Sequence, residues 1–309
     1  MTRYTRRFWY EVRCVLLVQC WAPYCKRYKK RENMRLFHYT SLSALLSVVR
    51  NQSVWLTDIR YLNDSKELHD GIERLVADVS YAQTDMFTNF DYHDKASNFV
   101  VKALTDFAEF GSSEDPLFVF SLSSQWDCLS QWRAYGSYAI EFHHDVLSSE
   151  LGEIKQCIYS NETKNKISRK EVSASISDIS ADMGKNHGCQ SVDSLDSITS
   201  LINIAATFKH NGFSEENEQR IILSSSVSSE SYPSNVKFRN RGELLIPYIE
   251  KEISLDSIKS ITVGPIKDQE LAYQAMCEFI DGINKNWQFE SNNTEFEIQV
   301  KKSKIPYRG

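Results

Sequence analysis

Leu117-Phe-Val-Phe-Ser-Leu-Ser-Ser-Gln-Trp-Asp-Cys-Leu-Ser-Gln-Trp-Arg-Ala-Tyr-Gly136, continued by Ser137-Tyr-Ala-Ile-Glu-Phe142, is the stretch on which the fold turns. Residues 117–120 form an unbroken apolar run, the pattern of a strand covered on both faces. Residues 138–142 alternate apolar with small or charged positions, the pattern of a second strand. Between them lies a polar, aromatic connector that Gly136 ends. It holds Trp126 and Trp132, two of the chain's six tryptophans, with Asp127, Gln131 and Arg133 among or beside them. Aromatic faces next to a guanidinium and amide donors suit a flat polar ligand. The same residues also describe a buried aromatic anchor whose polar neighbours tie down a turn.

Working outward, residues 34–39 read as a short strand, and Thr40 or Ser41 can cap a helix over 42–51. A strand follows at 54–58, then Asn63-Asp64 turns the chain into an amphipathic helix over about 65–79. A helix is predicted over 95–110 and a strand over 154–159. Residues 160–200 are dominated by Ser, Asp, Asn and Lys without a strong period, and read as a helical insertion with mobile joints. Beyond it come a helix at 201–210 and strands at 219–223, 237–239, 244–249 and 258–263, the last closed by Gly264-Pro265. A helix over 269–283 and a strand over 296–301 complete the series. Strands and helices mix without a βαβ rhythm. That predicts an α+β fold: a mixed, largely antiparallel sheet core with flanking helices.

A chain of 309 residues with 41% hydrophobic and 25% charged positions is ordinary for a soluble globular protein. Seven cysteines with no C-x-x-C pair point to reduced thiols in a cytoplasmic protein and to no zinc site. The seven histidines are scattered apart from His143-His144, so no metal is expected. Residues 1–33 carry nine Arg or Lys against Glu11 and Glu32, a net +7; with −5 overall, residues 34–309 carry −12. The leader's apolar stretch at 14–22 is too short to span a bilayer and lacks a clear signal-peptide pattern. The change of composition at Met34 suggests that the domain is a single one over 34–309, with 1–33 an upstream extension. A basic arm for nucleic acid or membrane is the other account. The −12 argues against broad nucleic-acid affinity, though not against a single exposed base.

Three constellations could carry chemistry. His38-Tyr39-Thr40-Ser41 places an imidazole at a strand end beside free helix N–H groups, a corner able to hold a ribose hydroxyl or phosphate. Alternatively His38 bonds a backbone carbonyl in the core. Asn63-Asp64 with Glu67 reads as a capping box. In the run Lys209 to Arg220, Glu216 and Glu218 sit two apart at the start of a strand, so both carboxylates face one way. Like charges so placed repel unless a cation, a substrate or a proton intervenes. The competing account is a solvated strand edge with Arg220 as partner.

Taken in order, Phe37-His38-Tyr39-Thr40-Ser41-Leu42, Trp55-Leu56-Thr57-Asp58, Phe120-Ser121-Leu122-Ser123, Leu129-Ser-Gln-Trp132-Arg133-Ala-Tyr135-Gly136 and Phe213-x-x-Glu216-x-Glu218-x-Arg220 resemble a bacterial family of unknown function, number 2971. Val263-Gly264-Pro265 and the closing Ser303-Lys-Ile-Pro-Tyr307-Arg extend the resemblance over about 34–308. That family is similar to the ADP-ribosyltransferase superfamily, and the resemblance implies a fold of that type acting on NAD as substrate, without a metal. It implies Glu218 as catalytic carboxylate with Glu216 as companion, and His38, with Tyr39 and Thr40, as the NAD-ribose contact. Trp132 or Tyr135 would supply the stacking face and Arg133 would meet the diphosphate. Ser121 and Ser123 match the serine-bearing middle strand. The acceptor, protein or nucleic acid, is open. By analogy a toxin or phage-defence effector with a cognate regulator or antitoxin, away from the membrane, is the expected setting. Two other classes stand beside this one. One is a non-catalytic nucleotide-sensing or partner-binding module. The other is a metal-dependent nuclease using Asp64, Asp127, Glu216 and Glu218.

Overall fold

The apolar run at 117–120 is a strand, and it continues to Ser123 as β3 (Leu117–Ser123) of a ten-stranded sheet. The computed structural model describes residues 34–62, 65–110, 116–224 and 235–306. The other strands are β1 (Leu36–Thr40), β2 (Ser53–Asp58), β4 (Tyr138–Phe142), β5 (Ile154–Gln156) and β6 (Glu218–Ser224), then β7 (Val236–Arg241), β8 (Leu244–Glu252), β9 (Ile258–Val263) and β10 (Gln299–Lys302). Their order is β10-β9-β4-β1-β3-β2-β8-β7, with β6 also on β3 and β5 on β6. Between the described strands, β9 and β10 pair in parallel and the other pairs are antiparallel. This is the mixed, mostly antiparallel α+β architecture that the alternation of elements predicts.

β6 pairs along the whole of β3, from Leu117 opposite Ser224 to Ser123 opposite Glu218. The other edge of β3 is divided: β2 pairs at Phe118 and Val119, β1 at Ser123. The two strands part in between. At this parting the His38 Nδ1 lies 3.0 Å from the Ser121 carbonyl oxygen, so the imidazole completes the edge that no backbone covers.

Helices α1 (Leu42–Asn51), α2 (Ser65–Asp78), α3 (His93–Phe110), α4 (Leu129–Tyr135), α5 (His144–Leu151), α6 (Asn161–Lys185), α7 (Val192–Ala205) and α8 (Gln269–Ser291) cover the sheet. Phe118, Phe120, Leu36 and Ile140 pack with Leu45 and Val49 of α1, Leu147 of α5 and Met276 and Ile280 of α8. Leu117 and Val119, on the opposite face, pack with Ile72 and Leu75 of α2, Val100 and Leu104 of α3 and the apolar positions of α6 and α7. Both faces of β3 are therefore buried, which is why its sequence shows no alternation. No described helix is long and apolar enough to cross a membrane.

Residues 160–200 are largely helical, as expected, and they pack into the core. They supply α6, a 25-residue helix, and most of α7, both packed into the layer beside β3. The period is weak in sequence because Ser168, Ser175, Ser177, Ser180 and Asp182 share the buried face with Val172, Ile176, Ile179 and Met183. Small hydroxyls let helices approach, and several find partners: Ser177 Oγ donates to Asp85 Oδ1 at 2.5 Å. Ser180 Oγ donates to the Ser177 carbonyl, while Asp182 accepts from Ser194 Oγ (2.5 Å), Ser191 Oγ and Asn186 Nδ2. The helix expected at 201–210 begins earlier and stops at Ala205, and α4 and α5 appear where no helix is predicted. The leader, Asn63, Asp64 and the side chain of Glu67 lie outside the described residues.

Gly136, which ends α4, has φ 136°, and a Cβ there would lie 2.4 Å from the Thr40 carbonyl oxygen. Gly282, inside α8, has no atom within 4 Å of such a Cβ. Gly136→Ala should lower stability by about 2 kcal/mol or more. Gly282→Ala should raise it by up to about 1 kcal/mol. Urea unfolding of the two variants checks the pair, and equal effects would contradict the packing at Gly136.

Candidate active site

Two of the expected site residues, Ser123 and Glu218, face each other directly across β3 and β6. Opposed residues of an antiparallel pair share a face of the sheet, so Ser121 and Arg220, opposite each other two positions along, lie on that face as well. The chain reaches β6 through a 3₁₀ turn, Asn211–Glu216, and through Asn217 in the left-handed conformation, φ 43°. Ser123 Oγ donates to the Glu216 carbonyl at 2.6 Å and Ser124 N–H donates to the Asn217 carbonyl at 3.1 Å, pinning the turn to the end of β3.

Glu216 and Glu218 do converge, by a route the extended-strand argument misses. Glu216 belongs to the turn, and the two carboxylates meet on one cation: Lys209 Nζ lies 2.5 Å from Glu216 Oε2 and 2.6 Å from Glu218 Oε2. Arg220 completes the cluster, with Nε donating to Glu218 Oε1 at 2.8 Å and Nη2 to Oε2 at 3.0 Å. Its Nη1 donates to the Ala206 carbonyl just past α7 at 2.7 Å. The edge is not solvated: Glu218, Arg220 and Lys209 are 5%, 4% and 6% exposed. Burial favours the neutral acid, but Arg220 and then Lys209 outweigh it and hold the Glu218 carboxyl down at about 2. Glu218 is therefore a carboxylate at neutral pH. Its backbone N–H donates to Tyr159 Oη at 2.8 Å, and Lys164 Nζ donates to the Lys209 carbonyl at 2.6 Å.

Glu216 is the more accessible of the pair, and its Oε1 lies 3.5 Å from Tyr135 Oη on the exposed ring at the end of α4. Trp132 is an anchor. Its Nε1 donates to Asp127 Oδ1 at 3.0 Å and its ring meets Tyr39 edge-on at 4.6 Å. Tyr39 Oη donates to the Gln125 carbonyl at 2.7 Å, and burial above all raises its phenol to about 12. For Trp132 the anchoring account of the connector fits, and Tyr39 of β1 packs against it. Arg133 points outward and makes no ion pair among the described residues.

His38 and Thr40 fall on the other face. The His38 ring packs on Phe120 at 4.6 Å, in the cluster opposite Glu218. Burial lowers its pKa against the pull of the Ser121 carbonyl, and the Arg239 guanidinium lowers it further. The imidazole is thus neutral, with its proton on Nδ1 donating to Ser121. Arg239 itself rests over Trp55 at 5.3 Å and Tyr248 at 5.7 Å and donates to Thr57 Oγ1 at 2.8 Å.

The structure therefore gathers Ser123, Tyr135, Glu216 and Glu218, with Ser121, Tyr39 and Trp132 along the same face, and separates them from His38 and Thr40. Lys209 is the residue that sequence reasoning quoted without giving it a role. A lone lysine seven and nine positions before its partners carries no spacing signal. Among the described residues no three His, Cys, Asp or Glu converge as metal ligands would. Asp127 is occupied by Trp132, Ser303 Oγ (2.5 Å) and the Lys304 N–H (2.7 Å), and Asp64 lies outside the described residues.

Because the Glu218 pKa falls from 4.5 to about 2 on folding, its stabilisation is complete above about pH 4.5 and is lost as pH drops toward 2. Glu218→Gln should cost about 3 kcal/mol at pH 7. The gap from the wild type should shrink between pH 5 and 2 in urea titrations. A gap constant with pH would contradict the ionised state.

A family model described as "Protein of unknown function (DUF2971)" matches residues 131–221, which run from α4 into β6 and include Trp132, Tyr135, Glu216 and Glu218. No curated protein and no solved structure matches the chain. The family match supports the resemblance over the segment that builds the candidate site.

Proposed function

We propose that the Glu216–Glu218 face binds NAD as substrate and cleaves its nicotinamide–ribose bond, transferring ADP-ribose to an acceptor or to water. The observation that carries this reading is the convergence of two carboxylates on Lys209, one held ionised in a nearly dry position, beside the hydroxyl of an exposed tyrosine. When the bond from C1′ to the nicotinamide nitrogen breaks, its electron pair leaves with a neutral nicotinamide and positive charge develops on the sugar. A fixed carboxylate stabilises that charge without reorganising. Glu218 supplies the field, Glu216 the accessible oxygen for a ribose hydroxyl, and Tyr135 an aromatic face. The acceptor then bonds to C1′ and gives up its proton.

His38 serves this arrangement from behind the sheet, through the Ser121 carbonyl, as a positioning residue and not as a ribose contact. The acceptor class is a protein or a nucleic acid, and an effector of toxin or phage-defence type with a cognate regulator in the cytoplasm is the setting that analogy suggests. One observation favours a nucleotide-sensing or partner-binding module instead. Both Glu218 oxygens already accept from Arg220 and Lys209, which leaves little capacity for a reacting group.

The test is nicotinamide release from NAD by the full chain. The wild type should release it, and Glu216→Gln, which keeps the Glu218 ion pairs, should be slower by about 10²–10³. No release with a melting temperature raised by NAD would favour the sensing module. Neither release nor a shift would overturn the NAD reading.

A further inference from the structure

A cavity of about 570 Å³ is lined by Arg35, Trp126, Lys301, Lys302, Ser303 and Lys304, and the carboxylate pair is not part of its lining. Four of these six residues are cationic. They belong to three segments far apart in sequence: the approach to β1, the connector after β3, and β10 with its following turn. The volume is in the range of small-ligand sites, roughly 300–1,000 Å³.

The charge around it is unbalanced. Arg35 Nε (2.9 Å), Lys301 Nζ (3.0 Å) and Lys259 Nζ (3.5 Å) all lean on one carboxylate, Glu141, which is 1% exposed beneath them. Lys302 is paired with Glu270 at 2.7 Å. The Lys304 ammonium meets no carboxylate among the described residues, and its backbone N–H donates to Asp127 Oδ2. Three cations on one buried acid, with Lys304 beside them, leave a positive surface on a region that carries −12 between residues 34 and 309.

Trp126 supplies the second property. Arg35 Cζ lies 5.5 Å and Lys304 Nζ 5.6 Å from its ring centroid. Unlike Trp132, it is held by packing and these cations, since its indole N–H finds no acceptor among the described residues. An aromatic ring with a guanidinium and a flexible ammonium over it offers a base a stacking surface once the ammonium swings aside, and offers its phosphate the charge.

We propose that this cavity binds a nucleoside phosphate unit, with the base on Trp126 and the phosphate among Arg35, Lys301 and Lys304. The assignment does not depend on the NAD reading. The unit is available from two sources, a free nucleotide or one nucleotide of a single strand.

The full chain is titrated calorimetrically with AMP and ribose 5-phosphate, and by fluorescence anisotropy with a labelled eight-residue deoxyadenosine strand. AMP should bind roughly 5- to 150-fold more tightly than ribose 5-phosphate, the contribution of one stacked base. Trp126→Ala should remove that preference, and Lys304→Glu, a surface change that leaves the core intact, should weaken AMP by about tenfold. A strand bound more tightly than AMP, with a steeper salt dependence, assigns the site to nucleic acid. Equal affinities assign it to the free nucleotide. Failure of both AMP and the strand to bind, equal binding of AMP and ribose 5-phosphate, or AMP binding unchanged in Lys304→Glu would each overturn the proposal.

Discussion

Lys209 places one ammonium between two carboxylates, and Arg220 places a guanidinium on the deeper of them. Opposite charges are thereby brought together in a nearly dry position. Enclosing charge is costly unless the partners and the remaining lone pairs are satisfied together. Here they are, and the satisfaction reaches outward. Arg220 ties the end of α7 to β6 through the Ala206 carbonyl, and Lys164 ties α6 to the strand approach through the Lys209 carbonyl. Tyr159 holds the first residue of β6 and Ser123 holds the turn before it. The helical layer and the sheet meet at this cluster, so removing one charge leaves its partners uncompensated.

The same enclosure is what the proposed chemistry would draw on. A carboxylate in water is stabilised by solvent that must rearrange when a substrate's charge changes, whereas Glu218 is stabilised by groups already fixed in place. The cost is saturation: the oxygens that make Glu218 anionic are the ones its partners occupy. Glu216 lies nearer the surface and, among the described residues, meets Lys209 and the more distant Tyr135 hydroxyl. The proposed division of labour between a fixed field and an available oxygen rests on burial and not on the order of the two glutamates in sequence.

Much of the fold was legible because its signals are local. The apolar run of β3, the alternation of β4 and the capped helix after Ser41 each depend on a few neighbouring residues, and each stands where the pattern puts it. α6 was not legible as core, since Ser175, Ser177 and Ser180 read as solvent-facing until the helices packed around them are known. At the site, the pairing of Glu216 with Glu218 was legible and its mechanism was not. Lys209 enters only through tertiary structure, and the left-handed Asn217 breaks the strand geometry that the spacing assumed. The side of the sheet on which His38 falls was equally out of reach. It depends on where β1 leaves β3, which one-dimensional spacing does not encode.

The most direct measurement is a crystal structure of the full chain with a non-hydrolysable NAD analogue. The account predicts the nicotinamide ribose on the face of Ser123, Tyr135, Glu216 and Glu218. An analogue seated instead on the opposite face, against the His38 ring and Phe120, would contradict it.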